Sequence, residues 1–513
     1  MRPMSAARAT SSARIVVDPD FRVGPVHRRL FGSFVEHMGR CVYTGVYEPG
    51  HPSADAGGLR VDVADLVREL GVTTVRYPGG NFVSGYRWAD GVGPRADRPV
   101  RLDLAWRSTE TNQFGLGEFI DWAQAVDVEP MLAVNLGTRG VQEAVDLLEY
   151  CNHPGGTALS DLRAEHGHPD PYDIRIWCLG NEMDGPWQIG HKTADEYGRL
   201  AQETGKAMKL LDPSIELVAC GSSGANMPTF GEWEATVLGH CYDEVDYISL
   251  HAYYGLRDAD GTEDVASFLA SGADMDAFIE GVVATADHVR AARRVRKRMM
   301  LSFDEWNVWH TDIFDGGEWE QAPRLSEDDF NAADAVVVGG LLISLLKHAD
   351  RVRAACQAQL VNLLGMIRTE PGGPAWRQTT FYPFAQVAAH ARGEALRLAV
   401  TTPRYETARY GDVPVVDAVA TWDEDSGALT LFVVNRHPAE ATELTVDLRG
   451  VAGVAPAEHL VLSAAADPSA ANTLEQPERI LPEARQLDRD GRPLVIRLPA
   501  ASWNVIRLLR TVS

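Results

Sequence analysis

Cysteine is scarce in this chain, with six among 513 residues and no CxxC pair. That excludes a disulfide-stapled secreted scaffold and a paired-thiolate metal or redox motif. Cys178, Cys220 and Cys356 fall inside apolar runs and are expected to be free, buried thiols. Membrane-length apolar runs are missing too. The longest, Ala335 to Leu346, falls short of the ~20 residues a span needs and is interrupted by Gly339-Gly340. Met1 to Asp18 carries Arg2, Arg8 and Arg14 but no apolar core of a secretory signal, so the expected location is cytoplasmic. Basic charge is also short, with 48 Lys and Arg against 72 Asp and Glu, a net −24. A field of that sign repels nucleic acid and anionic membrane, so neither is expected as a partner and a neutral substrate fits better.

Several catalytic motifs are absent. There is no HExxH, and His166-Gly167-His168 sits in a Pro/Gly-rich loop without a ligand cluster, so no metal is expected. Gly221-Ser222-Ser223-Gly224 lacks the spacing of a nucleophile elbow, and no GxGxxG follows the first strand. Carboxylate chemistry without a cofactor remains.

What is present is a large globular chain, 45% hydrophobic and 23% charged. Between residues 28 and 395, apolar strand-like runs alternate with amphipathic helical stretches, the pattern of a parallel α/β fold. The runs are Leu30–Val35, Val72–Tyr77, Pro130–Val134, Ile174–Leu179, Ile215–Cys220, Val245–Leu250, Arg298–Phe303 and Arg351–Gln357. Eight closes a (β/α)8 TIM barrel. Val63, Leu66, Val67 and Leu70 keep helical spacing before a stop at Gly71. Thr193 to Glu196 has capping-box spacing, and Ser326 to Asp329 offers similar chemistry ahead of a Val336–Leu346 helix. After about residue 396 the helical period gives way to short runs at Val413–Trp422, Ala428–Asn435, Thr442–Leu448, His459–Ser463 and Pro493–Leu498. These predict a C-terminal antiparallel β-sandwich over 396–513. Residues 1–27 form an N-terminal segment whose Ile15–Val17 is placed to join that sandwich.

A barrel collects its chemistry at the carboxyl ends of its strands. Here those ends carry Glu36-His37, Gly79-Gly80-Asn81, Asn135, Asn181-Glu182, Ser222, His251 with Tyr253, Glu305-Trp306, and Gln359. An Asn or Ser in such a place is often only a cap, a lone His is more often structural, and Pro78-Gly79-Gly80 reads equally as a tight turn. Glu36, Glu182 and Glu305 are harder to dismiss, because a carboxylate at the mouth of a core costs several kcal/mol unless compensated. A pair of glutamates facing across a cleft lined with polar and aromatic groups suits acid/base and nucleophilic attack on a glycosidic bond.

The block Trp177-Cys178-Leu179-Gly180-Asn181-Glu182-Met183-Asp184-Gly185-Pro186-Trp187 resembles the acid/base signature of the α-L-arabinofuranosidases of glycoside hydrolase family fifty-one. The resemblance extends through Ser33 to Arg40, Arg76 to Phe82, Thr109 to Gly115, His251 to Gly255, Phe303 to Trp309 and Ala375 to Thr379. It implies that Glu182 is the general acid/base and Glu305 the nucleophile. It places Asn181 on the 2-hydroxyl, and Glu36, Asn81, Tyr253 and Gln359 on the other hydroxyls or on the carboxylates. Trp106 and Trp309 become walls, with His251 and Arg76 supporting from behind. The implied activity is retaining, exo-acting release of terminal α-L-arabinofuranosyl units from arabino- and arabinoxylo-oligosaccharides, with the carboxyl groups about 5–5.5 Å apart. The implied assembly is a homo-oligomer, a hexamer. Two alternatives stand beside it: the same chemistry on another glycan, as in a β-xylosidase or endoglucanase, and a barrel retired to sugar binding. Ala252, Leu256 and Asn362-Leu363-Leu364-Gly365-Met366-Ile367 depart from the family pattern at the rim.

Overall fold

Eight short runs, each buried on both faces, pair in parallel and close on themselves. They are β1 (Gly32–Phe34), β2 (Thr74–Tyr77), β3 (Glu129–Ala133), β4 (Ile176–Leu179), β5 (Glu216–Ala219), β6 (Tyr247–Tyr254), β7 (Met300–Val308) and β8 (Val352–Gln357). The closed order β6-β7-β8-β1-β2-β3-β4-β5 is that of a TIM barrel. The computed structural model describes residues 11–258, 260–310, 319–451, 453–487 and 493–511. The first ten residues of the expected N-terminal segment lie outside these.

The helices follow their sequence signals, with one exception. Val61–Leu70 buries Val63, Leu66, Val67 and Leu70 and ends on Gly71 at φ 77°, a left-handed stop that favours glycine. Ala194–Leu211 begins with the reciprocal Thr193–Glu196 capping box. The exception is Ala332–Lys347, which is capped by Asn331 and Asp334 and not by Ser326 to Asp329. Those earlier residues serve the loop after β7: Ser326 Oγ accepts the Trp309 indole N–H at 3.3 Å and Asp328 accepts the His310 N–H at 3.1 Å. This helix is apolar all round because it lies between barrel and sandwich. Its Gly339 has a packing reason, since a Cβ there would stand 2.4 Å from the Trp503 ring.

Two strands run further than the apolar pattern suggests. The β6–β7 ladder continues past its polar residues, pairing His251 with Glu305, Tyr253 with Asn307 and Tyr254 with Val308. Glu305, His251 and Tyr253 therefore sit within paired strands, not in the loops beyond them.

The second module packs a seven-stranded sheet on a four-stranded one. Ser502–Arg510, for which the sequence reading assigns no strand, is interior to the larger sheet, between Ala428–Asn435 and Val454–Ser463. The N-terminal strand Ser11–Val17 does join the smaller sheet. It runs parallel to Thr442–Leu448, so the sandwich is not purely antiparallel. All six cysteines are free and buried. Among the described residues no helix is long and apolar enough to cross a membrane.

Candidate active site

The carboxyl ends of the strands open into a cavity of about 890 Å3. Of the eleven residues singled out, eight line it; Asn181, His251 and Arg76 stand behind the lining. An oxygen of Glu182, an oxygen of Glu305 and a ring nitrogen of His251 all lie within 4.8 Å of one another.

Glu305 is fixed from several directions. Arg76 Nη1 donates to its Oε1 at 2.7 Å and the Tyr253 hydroxyl donates to its Oε2 at 2.8 Å. Gly80 presses against it, and a Cβ there would fall 2.7 Å from Glu305 Oε1; at Gly79 a Cβ would fall 2.8 Å from Glu36 Cγ. The double glycine is thus required by the two carboxylates behind it, beyond any need of the turn. Arg76 also donates through Nη2 to Asn181 Oδ1 at 2.8 Å, and Asn181 Nδ2 donates to Asn81 Oδ1 at 3.3 Å.

Glu182 lies past the end of β4, at φ 44°, a left-handed conformation uncommon for a glutamate and costly enough to need support. His251 Nδ1 stands 2.9 Å from its Oε1, and the Trp187 indole N–H donates to its Oε2 at 2.7 Å. Trp187 is itself 52% exposed. The loop is tied down further along, where Asp184 accepts both the backbone N–H and the hydroxyl of Ser223.

Glu36 completes the lining. Its Oε1 accepts the Phe82 N–H at 2.9 Å and the Trp106 indole N–H at 3.0 Å, and its Oε2 accepts the Gln359 amide at 3.1 Å. Trp309 meets the Tyr253 ring edge-on at 5.1 Å.

The charges of this buried group are coupled. Burial opposes a charge on His251, but Glu305, Asp304 and Glu182 outweigh it and raise its pKa to about 10. The imidazole is then a cation that donates from both nitrogens, the second to Asp304 Oδ1 at 2.9 Å. Burial would also raise Asp304, yet Arg76 and His251 hold it below the usual carboxylate range. Burial pushes Glu305 up, and Glu182 adds to this, against the pull of His251 and Arg76. Burial, then Glu305, lifts Glu36 to about 8.

Two groups escape sequence reasoning, and a third, His37, is placed at a strand end without a role. Asp304 stands beside Glu305, and strict strand alternation would let only one of two neighbouring side chains face the barrel interior. The register between β7 and β8 shifts from Phe303 to Trp306, and both neighbouring carboxylates reach inward. Trp187 lies in a recognised motif but shows no local signal of its contact with Glu182. His37 bonds Glu110 at 2.8 Å and Tyr77 at 2.9 Å and stacks on Phe82 at 4.8 Å, which steadies the Phe82 amide that Glu36 accepts. Asn135, by contrast, organises its own loop, accepting the N–H groups of Gly137 and Thr138.

Comparison with known proteins places the geometry in context. Residues 66–264 match the α-L-arabinofuranosidase 1 domain and residues 304–502 the α-L-arabinofuranosidase C-terminal domain. An intracellular exo-α-(1→5)-L-arabinofuranosidase of Streptomyces lividans is 60% identical over 97% of this chain and 75% of its own. An exo-α-(1→6)-L-arabinofuranosidase of Bifidobacterium longum is 53% identical over 97% of each chain. The solved structure of a family fifty-one α-L-arabinofuranosidase from Bifidobacterium longum, 50% identical, superposes with a TM-score of 0.94 over 98% of this chain and all of that one.

Proposed function

Because this chain belongs to the α-L-arabinofuranosidases of glycoside hydrolase family fifty-one, retaining and exo-acting enzymes, we propose that Glu305 is its nucleophile and Glu182 its general acid/base. The observation that carries this assignment is the approach of the two carboxylates, with oxygens within 4.8 Å. That spacing suits direct attack on the sugar and is too close for the interposed water of an inverting enzyme, which needs about 6.5–9.5 Å. Arg76 and protonated His251 favour the anionic form of Glu305, the form a nucleophile needs.

In the first step a Glu305 oxygen bonds to the anomeric carbon as the glycosidic bond breaks. Glu182 gives its proton to the departing oxygen, which leaves as the alcohol of the next sugar. In the second step Glu182, now a carboxylate, takes a proton from water, whose oxygen bonds to the anomeric carbon. The ester bond breaks and its electron pair returns to Glu305, leaving arabinose with retained configuration and Glu182 protonated.

Asn81, Tyr253, Gln359 and Glu36 hold the ring hydroxyls, with Trp106 and Trp309 as walls. Asn181 acts on the 2-hydroxyl side, where it steadies Asn81. With its pKa near 8, Glu36 keeps a proton at neutral pH and through it donates a hydrogen bond to a sugar oxygen. The substrates are short arabino- and arabinoxylo-oligosaccharides inside the cell, with the α-1,5 linkage first. The (1→5) and intracellular names of the Streptomyces relative support this, and the (1→6) name of the Bifidobacterium relative marks the linkage as the variable part. The assembly is a homo-oligomer; the exposed apolar Val100, Leu102 and Leu104 are a stripe of the kind that assemblies cover. Light scattering tests that state.

The chemistry is tested by nitrophenol release from 4-nitrophenyl α-L-arabinofuranoside by the parent and by Glu305→Ala, with and without azide. Turnover by the parent, lost in the variant and partly restored by azide, is the expected result. A folded parent with no turnover, or an inverted product by NMR, overturns the assignment.

A further inference from the structure

The cavity is larger than its terminal sugar requires. At about 890 Å3 it lies towards the upper end of the ~300–1,000 Å3 common for small-molecule sites, and a single pentosyl unit is much smaller than the ligands that fill such sites. An exo-acting enzyme buries one sugar on the near side of the scissile bond. The remaining volume therefore belongs to the leaving group.

One stretch of the cavity wall, outside the residues assigned to the terminal sugar, is built by three separate elements. Tyr254 and Gly255 come from the end of β6, Asp274 from the first turn of the Ser271–Arg293 helix, and Arg409 and Tyr410 from a two-stranded hairpin of the C-terminal module. The last two occupy the turn between the strands Arg404–Thr407 and Gly411–Pro414. Arg409 pins that turn to the barrel rim: its guanidinium donates to the carbonyls of Gly255 at 2.8 Å and Leu256 at 3.0 Å, and its backbone N–H donates to Ser267 Oγ at 3.1 Å. Tyr410 is thereby held at the cavity wall.

Asp274 is under-used by the protein. Its one hydrogen-bond partner among the described residues is the Tyr254 hydroxyl, a long 3.3 Å away on Oδ2. A half-buried carboxylate that lines a cavity and has one oxygen uncommitted among the described residues is a strong acceptor for a sugar hydroxyl, and a tyrosine ring beside it is a surface on which a sugar packs. Neither group touches the carboxylate pair.

We propose that Asp274 and Tyr410 form a leaving-group subsite that binds the sugar beyond the scissile bond, with a hairpin of the C-terminal module supplying half of it. This rests on the oligosaccharide reading given above. It makes the second module a part of substrate selection, and it locates that selection next to Leu256, one of the rim departures noted in the sequence.

The test is steady-state kinetics of the parent, Asp274→Asn and Tyr410→Ala on α-1,5-arabinotriose and on 4-nitrophenyl α-L-arabinofuranoside, whose aryl group does not supply the hydroxyls of a second sugar. The expected result is a fall of about tenfold in the ratio of kcat/KM for the triose to kcat/KM for the aryl glycoside, the worth of one charge-assisted hydrogen bond, expressed mainly in KM. An unchanged ratio in both variants overturns the subsite. So does an equal loss on both substrates, which marks Asp274 and Tyr410 as structural. A parent that cleaves the aryl glycoside but not arabinotriose or other arabinofuranosyl oligosaccharides overturns the oligosaccharide reading itself, and the subsite with it.

Discussion

Glu305 and Glu182 stand within 4.8 Å of one another and are held in opposite ways. Glu305 belongs to a paired strand, takes hydrogen bonds from Arg76 and Tyr253, and has a glycine pressed against it. Glu182 lies beyond its strand in a left-handed conformation, and one of its oxygens is held by an indole that is half in solvent. The difference follows from the two jobs. A nucleophile attacks one carbon along one line, so rigidity helps it at every step. An acid/base must serve a departing sugar oxygen and then an incoming water, so it benefits from a partner that can yield.

The comparison breaks most sharply when each glutamate is removed. Glu305→Ala is expected to lose at least about ten-thousandfold in kcat on any arabinofuranoside, in line with the loss of an essential nucleophile. Glu182→Ala should lose about a hundred- to ten-thousandfold on arabino-oligosaccharides and less on the nitrophenyl glycoside, whose leaving group needs little protonation. Azide separates the two by product: inverted arabinosyl azide from Glu305→Ala, retained from Glu182→Ala. The same anomer from both variants contradicts the assignment.

Gly80→Ala tests the rigidity of the nucleophile alone. Its methyl group is directed at Glu305 Oε1, and a displacement of this kind should cost about a hundredfold in kcat with the fold intact by circular dichroism. Near-parental kcat would mean that Glu305 tolerates movement. Trp187→Phe tests the yielding partner of Glu182 and should cost about tenfold, the value of one hydrogen bond to a carboxylate. A loss as large as that of Gly80→Ala would erase the contrast between the two residues.

The smallest effect is in pH. Glu36 holds its proton below about 8 and releases it above, which adds a negative charge beside Glu305 and removes a donor from the sugar site. The parental kcat/KM is expected to fall as pH rises through about 8. Glu36→Gln, which donates at every pH, should lack that limb. An alkaline limb that stays in place in Glu36→Gln removes Glu36 as its source.

Much of this was readable from residues. Asn181-Glu182 and Glu305 betray themselves because a carboxylate directly after an apolar run has no packing reason to be there. The eight strands show through because both faces of a parallel strand are buried. What could not be read depends on partners distant in the chain. The register shift that lets Asp304 and Glu305 both face inward is a property of β7 against β8, not of β7 alone. The need for Gly79-Gly80 is set by Glu36 and Glu305, and a local reading sees only a turn. Ser326 to Asp329 has cap-like residues but is used by Trp309 and His310. The turn holding Arg409 and Tyr410 belongs by sequence to a sandwich, and only the folded chain brings it to the barrel mouth.

The strand Ser11–Val17 pairs with Ala399–Thr401 on one side and Thr442–Leu448 on the other. On the ribosome it emerges before both partners, and the nearer one follows roughly 380 residues later. At about 5–20 residues per second the wait is on the order of 20–80 s. Throughout that interval the buried side chains of the finished sheet, Ala13, Ile15 and Val17, have no surface to cover them and both edges of the segment are open. The whole barrel is translated meanwhile. How long this segment waits for its partners is therefore set by the length of the message between them, and faster folding of the barrel would not shorten the wait.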